Sequence, residues 1–123
     1  MRILFIGKDN LQNEAIIKII NAEDDYEVNH VLPVHVEEQA VEPNRHKYKI
    51  ALADLASFSY RADVSIKLIK SNNLSYKIIA IHNHNEKNII QLIIDAGADF
   101  CFSVNSGGNE LLEMIKSLSR PTV

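Results

Sequence analysis

Tryptophan is absent from this chain, cysteine occurs once, and there are only four glycines and three prolines. A single Cys101 allows no internal disulfide, which fits a reducing, cytoplasmic setting. So little Gly and Pro excludes collagen-like and low-complexity classes, and no internal repeat is visible. No apolar run reaches the roughly 18 residues that a membrane helix needs. The N-terminal run Ile3-Leu4-Phe5-Ile6 is also too short for a signal peptide. An excess of basic charge is missing too. With 13 Lys and Arg against 16 Asp and Glu, the net charge of −3 argues against a nucleic-acid surface, which needs clustered cations to displace phosphate counterions. What is present is a globular composition, 46% hydrophobic and 24% charged, over 123 residues, enough for one domain and too few for two.

Short apolar runs alternate with helical patterns. Ile3–Ile6 predicts a first strand, Tyr26–Leu32 a second that Pro33 ends, and Tyr48–Ala53 a third with Asp54 at its carboxyl end. Lys77–Ile81 predicts a fourth strand and Phe100–Val104 a fifth. Between them, Ala15, Ile16, Ile17, Ile19 and Ile20 mark a helix that Asp9 or Asn10 can cap. His35–Val41 reads as a short second helix closed by Pro43. Val64, Ile66, Leu68 and Ile69 mark a third helix, and Ile89, Ile90, Leu92, Ile93 and Ile94 a fourth with Gly97 just past its end. Leu111, Leu112, Met114, Ile115 and Leu118 mark a fifth that stops before Pro121. Near-continuous apolar strands read as parallel and covered on both faces, so the expected fold is a doubly wound α/β sheet of five β-α units. Its sites form at the carboxyl edge of the strands, which points to Gly7, Lys8 and Asp9, to Asp54, to His82–His84, and to Val104 and Asn105.

The order of these elements, the length, and an Asp ending the third strand resemble the CheY-like receiver domain of bacterial two-component response regulators. The resemblance covers 1–119, with 120–123 read as the start of a linker or C-terminal tail. Gly97-Ala98-Asp99 also matches that family's usual exit from helix four. The resemblance implies a flavodoxin-like (βα)5 fold and puts Asp54 at the phosphoacceptor position. It also implies an acidic pair after strand one, a Ser or Thr after strand four and a Lys after strand five. Here Gly7-Lys8 replaces the acids, with Asp9 just beyond, His82 holds the hydroxyl position and Val104 the Lys position. Cys101 stands at the switch-aromatic position, and the Pro and Gly usual after the phosphoacceptor are replaced near Phe58 and Ala62.

Phosphoryl transfer to a carboxylate needs a divalent metal, and magnesium prefers several carboxylate and water oxygens. With only Asp54 and Asp9 left, no cofactor and no magnesium is expected, and Asp54 becomes a vestigial phosphoacceptor. Opposite unit charges ~4 Å apart attract by roughly 4 kcal/mol at an effective dielectric of ~20 before solvation costs. Lys8 is therefore expected to pair with Asp54 and hold the pocket in one state.

Other residues carry weaker chemistry. His82 and His84 share a face in extended backbone and with Asp54 or Asp9 make a candidate transition-metal set, against the simpler reading of a neutral His82 at a strand end. Asn83 and Asn85 read as caps of the following helix. Cys101 between two Phe residues reads as a buried, inert sulfur. Ser106-Gly107-Gly108-Asn109 reads as a loop and N-cap, lacking the Lys and spacing of a phosphate loop. Asp24-Asp25 and Glu37-Glu38 read as solvated acids, and His30, His35 and His46 are scattered.

The expectation is an atypical receiver in signal transduction and transcription regulation, not an enzyme, acting by phosphorylation-independent interaction. The resemblance implies homodimerisation through the face formed by helix four, strand five and helix five, roughly Glu86–Leu118. It also implies a C-terminal DNA-binding output domain outside this chain. The alternatives are a conventional phosphoacceptor receiver using Asp54, a flavodoxin-like small-molecule binder, and an autonomous single-domain adaptor.

Overall fold

The computed structural model describes residues 1–39 and 48–119. Five strands form one parallel sheet: β1 (Arg2–Ile6), β2 (Glu27–Val31), β3 (Tyr48–Asp54), β4 (Ser75–His82) and β5 (Phe100–Ser103). Their order is β2-β1-β3-β4-β5, with β3 central. Among the described residues four α-helices cover it: α1 (Leu11–Asn21), α2 (Ala62–Ser71), α3 (Lys87–Ala96) and α4 (Gly108–Ser119). This is the doubly wound sheet that the apolar runs predict.

Side chains alternate across each strand, and here both phases are apolar. Leu4, Ile6, Ala51, Ala53, Ile78 and Ala80 face one side, where Ile66 and Ile69 of α2 and Ile93 of α3 pack on them. Ile3, Phe5, Ile50, Leu52, Ile79 and Ile81 face the other, against Ile20 of α1 and Leu111 and Ile115 of α4. The helices begin and end by local rules. Asn10 caps α1 by accepting the Asn13 N–H at 2.8 Å. Gly97 ends α3 at φ +126°, a conformation open mainly to glycine. The expected caps Asn83 and Asn85 do not cap α3. It starts after Glu86, whose side chain makes no capping bond.

The second predicted helix is not formed as drawn. Residues Pro33–His35 and Glu37–Gln39 make two 3-10 turns, and Ala40, Val41 and Pro43 lie outside the described residues, as do His46 and 120–123. Pro33 sets the first turn, and Val36 between the turns is the one fully buried apolar side chain of this segment, at 0% exposure. One buried residue cannot define a helical stripe, which needs partners three or four positions away. Val36 packs with Leu4, Ile6 and Leu55, so it anchors the segment to the sheet. Removing its two buried methyls in Val36→Ala is expected to cost about 2 kcal/mol, read as a lower urea midpoint with an unchanged slope.

Candidate functional site

The alternation that builds the core also decides what meets at the carboxyl edge. Asp54 ends β3 in the phase of Ile50 and Leu52, so its side chain enters the face covered by α1 and α4. It is only 2% exposed. Gly7 follows β1 in the same phase as Ile3 and Phe5, and it lies directly against the Asp54 stem. A Cβ on Gly7 would stand 3.2 Å from Asp54 Cβ and 2.9 Å from both Asn13 Nδ2 and a Phe5 ring carbon. The glycine at this position is therefore a close-approach residue.

A buried carboxylate needs donors, and two residues supply them. Ser57 Oγ donates to Asp54 Oδ2 at 2.7 Å, and Asn13 Nδ2 donates to the same oxygen at 3.0 Å. Asn13 Nδ2 also donates to the Lys8 carbonyl at 2.9 Å, and the Lys8 N–H donates to Ser57 Oγ at 2.9 Å. The loop 7–9, the start of α1 and the 3-10 turn Leu55–Ser57 thus close on one carboxylate oxygen. The other oxygen, Oδ1, is buried and has no hydrogen-bond partner. Hydrogen bonds to charged groups contribute about 1.5–3 kcal/mol each, and a buried orphan acceptor costs about 1–3 kcal/mol.

Lys8 acts otherwise than its charge suggests. Its main chain, not its ammonium, reaches Asp54, through Ser57. The expected Lys8–Asp54 ion pair is not formed: one residue past Gly7, Lys8 falls in the opposite phase, and its exposed side chain lines a cavity on the α2 side. Asp9 is turned away as well. Its carboxylate is 78% exposed and pairs with His30 Nδ1 at 3.4 Å, while His30 Nε2 lies 2.7 Å from the Gly7 carbonyl. His30 also meets Phe5 edge-on, with ring centroids 5.6 Å apart. It braces the outer side of the loop that Asn13 braces from inside.

His82 belongs to a different face from Asp54. In the ladder Asp54 pairs with Ile81, and His82 follows in the phase of Ile78 and Ala80. His82 is buried, and the His84 N–H donates to its Nδ1 at 3.2 Å. Burial holds the His82 imidazole below the usual histidine range, and the nearby His84 ring adds to this. A backbone hydrogen bond with His84 acts in the opposite sense. The His82 and His84 rings lie parallel with centroids 6.4 Å apart. The proposed metal set of these two histidines with Asp54 or Asp9 is not assembled, since the alternation splits its members. Among the described residues no three His, Cys, Asp or Glu side chains group around a common metal position.

Val104 is half-buried and packs on the Ile3–Phe5 side, where a lysine would have had to cross the same face. Its N–H extends the ladder to the His82 carbonyl at 2.8 Å. Asn105, beyond it, is exposed. Cys101 sits in β5 in the opposite phase, packed on the α2–α3 side, and burial pushes its thiol up, the direction of an unreactive sulfur. Val104 and Asn105 form a turn closed by the Ser106 N–H to the Ser103 carbonyl at 3.0 Å, and Ser106 and Gly107 lead from it into α4.

Asp54 Oδ2 faces an amide N–H and a hydroxyl O–H, Oδ1 is unclaimed, and Asp9 points to solvent and His30. Sequence reading did not single out Asn13, Ser57 or His30. An Asn in a first helical turn and a Ser three residues past a strand look like ordinary solvated positions, and nothing in their local sequence marks them as inward.

No protein-family model matches the chain, and no curated protein matches it in sequence. Its structure is similar to the response regulator domain of CheB from Thermotoga maritima, at 18% identity and a TM-score of 0.76, covering 99% of this chain and 98% of that one. It is also similar to a CheY-like receiver domain from Methanospirillum hungatei JF-1, at 20% identity and a TM-score of 0.73, covering 94% and 90%. A response regulator receiver domain from Bermanella marisrubri matches at 21% identity and a TM-score of 0.73, covering 97% and 98%. The fold is therefore the CheY-like receiver fold across the whole chain.

Two outcomes follow from the pocket. Asn13→Ala removes a donor to the buried carboxylate and is expected to lower stability by about 1.5–3 kcal/mol in urea unfolding. His82 titrates near 6.5 in the unfolded chain and lower in the fold. Below pH 6.5 the unfolded state takes the proton first, so this contribution to stability is full above that pH and is lost as the pH falls toward the folded value. His82→Asn is expected to flatten the loss of stability on acidification from about pH 7 to about pH 5, measured as the difference from the parent chain.

Proposed function

We propose that this chain is an atypical receiver-type signalling module that works by binding partners or itself, without turnover, phosphate or magnesium. The observation that carries this reading is the state of Asp54. It holds the phosphoacceptor position of the fold, yet it is buried and bonded to Ser57 and Asn13. The groups that would neutralise a phosphoryl charge are replaced by Gly7-Lys8, His82 and Val104. A catalytic arrangement of that kind depends on preset opposite charge, and here it is missing from the chemistry of the donor set.

The reading extends to an interaction face. α3, β5 and α4 are contiguous in sequence, and their surface exposes Leu92, Ile94 and Phe100. A shallow groove beside Phe100 runs along α4 past Asn109, Glu113 and Met114. Exposed apolar residues rimmed by polar ones mark interaction surfaces, and a second copy of the chain is the proposed occupant. A transcriptional output domain joined beyond this chain is the proposed effector. One observation favours a second reading, the conventional phosphoacceptor: Asp54 Oδ1 has no partner, so that oxygen is unclaimed.

Titration with magnesium and beryllofluoride separates the two. The proposal expects no saturable NMR shifts around Asp54 and the same dimerisation constant for Asp54→Asn as for the parent chain, by sedimentation. Phe100→Glu is expected to leave a folded monomer. Saturable shifts centred on Asp54, Ser57 and Lys8 would overturn the phosphate-independent reading.

A further inference from the structure

A cavity of about 460 Å³ opens beside the carboxyl ends of β1 and β3. These two strands flank the point where the strand order reverses, since β2 lies to one side of β1 and β3 to the other. Open parallel sheets bind ligands at such points because the loops diverge there and leave a crevice. The volume falls in the range of small-molecule sites, about 300–1,000 Å³.

The lining has a definite chemistry. Leu32, Pro33, Phe58 and Leu68 give an apolar wall. At the mouth stand Val34 and Tyr60, 79% and 60% exposed, although both are large apolar side chains. An apolar ligand body would remove this surface from water. Lys8 supplies a cation on the same cavity, and Ser57, whose hydroxyl hydrogen is given to Asp54, borders it. Among the described residues the Lys8 ammonium has no ion-pair partner within 4.0 Å. Glu37 also lines the cavity, so the site balances one positive charge against one negative. A dianion such as a phosphate ester would carry twice the repulsion from that carboxylate, whereas a single negative charge placed nearer Lys8 than Glu37 is still attracted.

We propose that this cavity binds a small amphipathic carboxylate, its apolar body between Phe58, Leu68 and the mouth residues and its head group at the Lys8 ammonium. Ser57 then links the site to the buried carboxylate, because its hydroxyl donates to the same Asp54 oxygen as Asn13 Nδ2. The site stands apart from the α3–β5–α4 face, so failure of one leaves the other intact.

The test uses the full chain with octanoate as the probe, followed by amide NMR. Saturable one-site shifts are expected at Lys8, Ser57 and Tyr60. Uncharged octanamide is expected to bind about tenfold or more weakly, because it lacks the charge-assisted contact. Lys8→Gln, a change at an exposed position, is expected to bring octanoate down to the octanamide level while leaving the rest of the spectrum in place. No shifts at these amides, shifts centred on the α4 groove, or undiminished octanoate binding by Lys8→Gln would each overturn the proposal.

Discussion

Asp54 is buried at the end of the middle strand, and the carboxyl edge of this molecule is arranged around the donors it requires. Stripping a carboxylate of water without replacing its hydrogen bonds is among the most costly steps a fold can take. Two segments therefore donate to Oδ2, the first turn of α1 and the 3-10 turn after β3, and the loop after β1 is tied to both donors. The two bonds to the Lys8 main chain also fix that loop, so the same few contacts set the carboxylate and shape the edge. Gly7 follows from this convergence, because a side chain there would occupy the space of the Asn13 amide.

The fold was largely legible because long runs such as Ile3–Ile6 and Ile78–Ile81 read as strands buried on both faces. The second helix was not. The span His35–Val41 reads as a helix closed by Pro43, but Pro33 starts a 3-10 turn, and of the described residues there only Val36 reaches the core. At the site, Asp54 was legible from its place at a strand end. Its partners were not, for a reason specific to buried parallel strands. A half-exposed strand reveals its phase by alternating polar and apolar residues, whereas Ile78-Ile79-Ala80-Ile81 is apolar in both phases. The sequence thus hides which of Gly7 and Lys8, or of Ile81 and His82, faces Asp54. The expected Lys8 pairing and the histidine metal set both fell to this missing phase.

The two faces of the sheet consequently carry different chemistry at one edge. On the α1–α4 side lie the closed polar group of Asp54, Asn13 and Ser57 and, further along, the half-buried Val104. On the α2–α3 side the phase brings His82, Cys101 and the Lys8 side chain, and burial favours the uncharged form of the first two. Ser57 bridges them, since it bonds inward to Asp54 and still borders the outer cavity. Any event that recruits its hydroxyl from outside changes the hydrogen bonding inside.

β3 is paired on both sides, with β1 and with β4, and is covered by helices above and below. Segments with such double protection exchange their amide hydrogens only when the whole domain opens, while turns and first helical turns open on their own. Asp54 is the last residue of that slow strand, and its donors ride on the quick segments beside it. The carboxylate is thus a fixed post at the border between two time regimes. Local breathing at this edge exposes Asp54 to solvent by withdrawing its partners, with no movement of the strand that carries it.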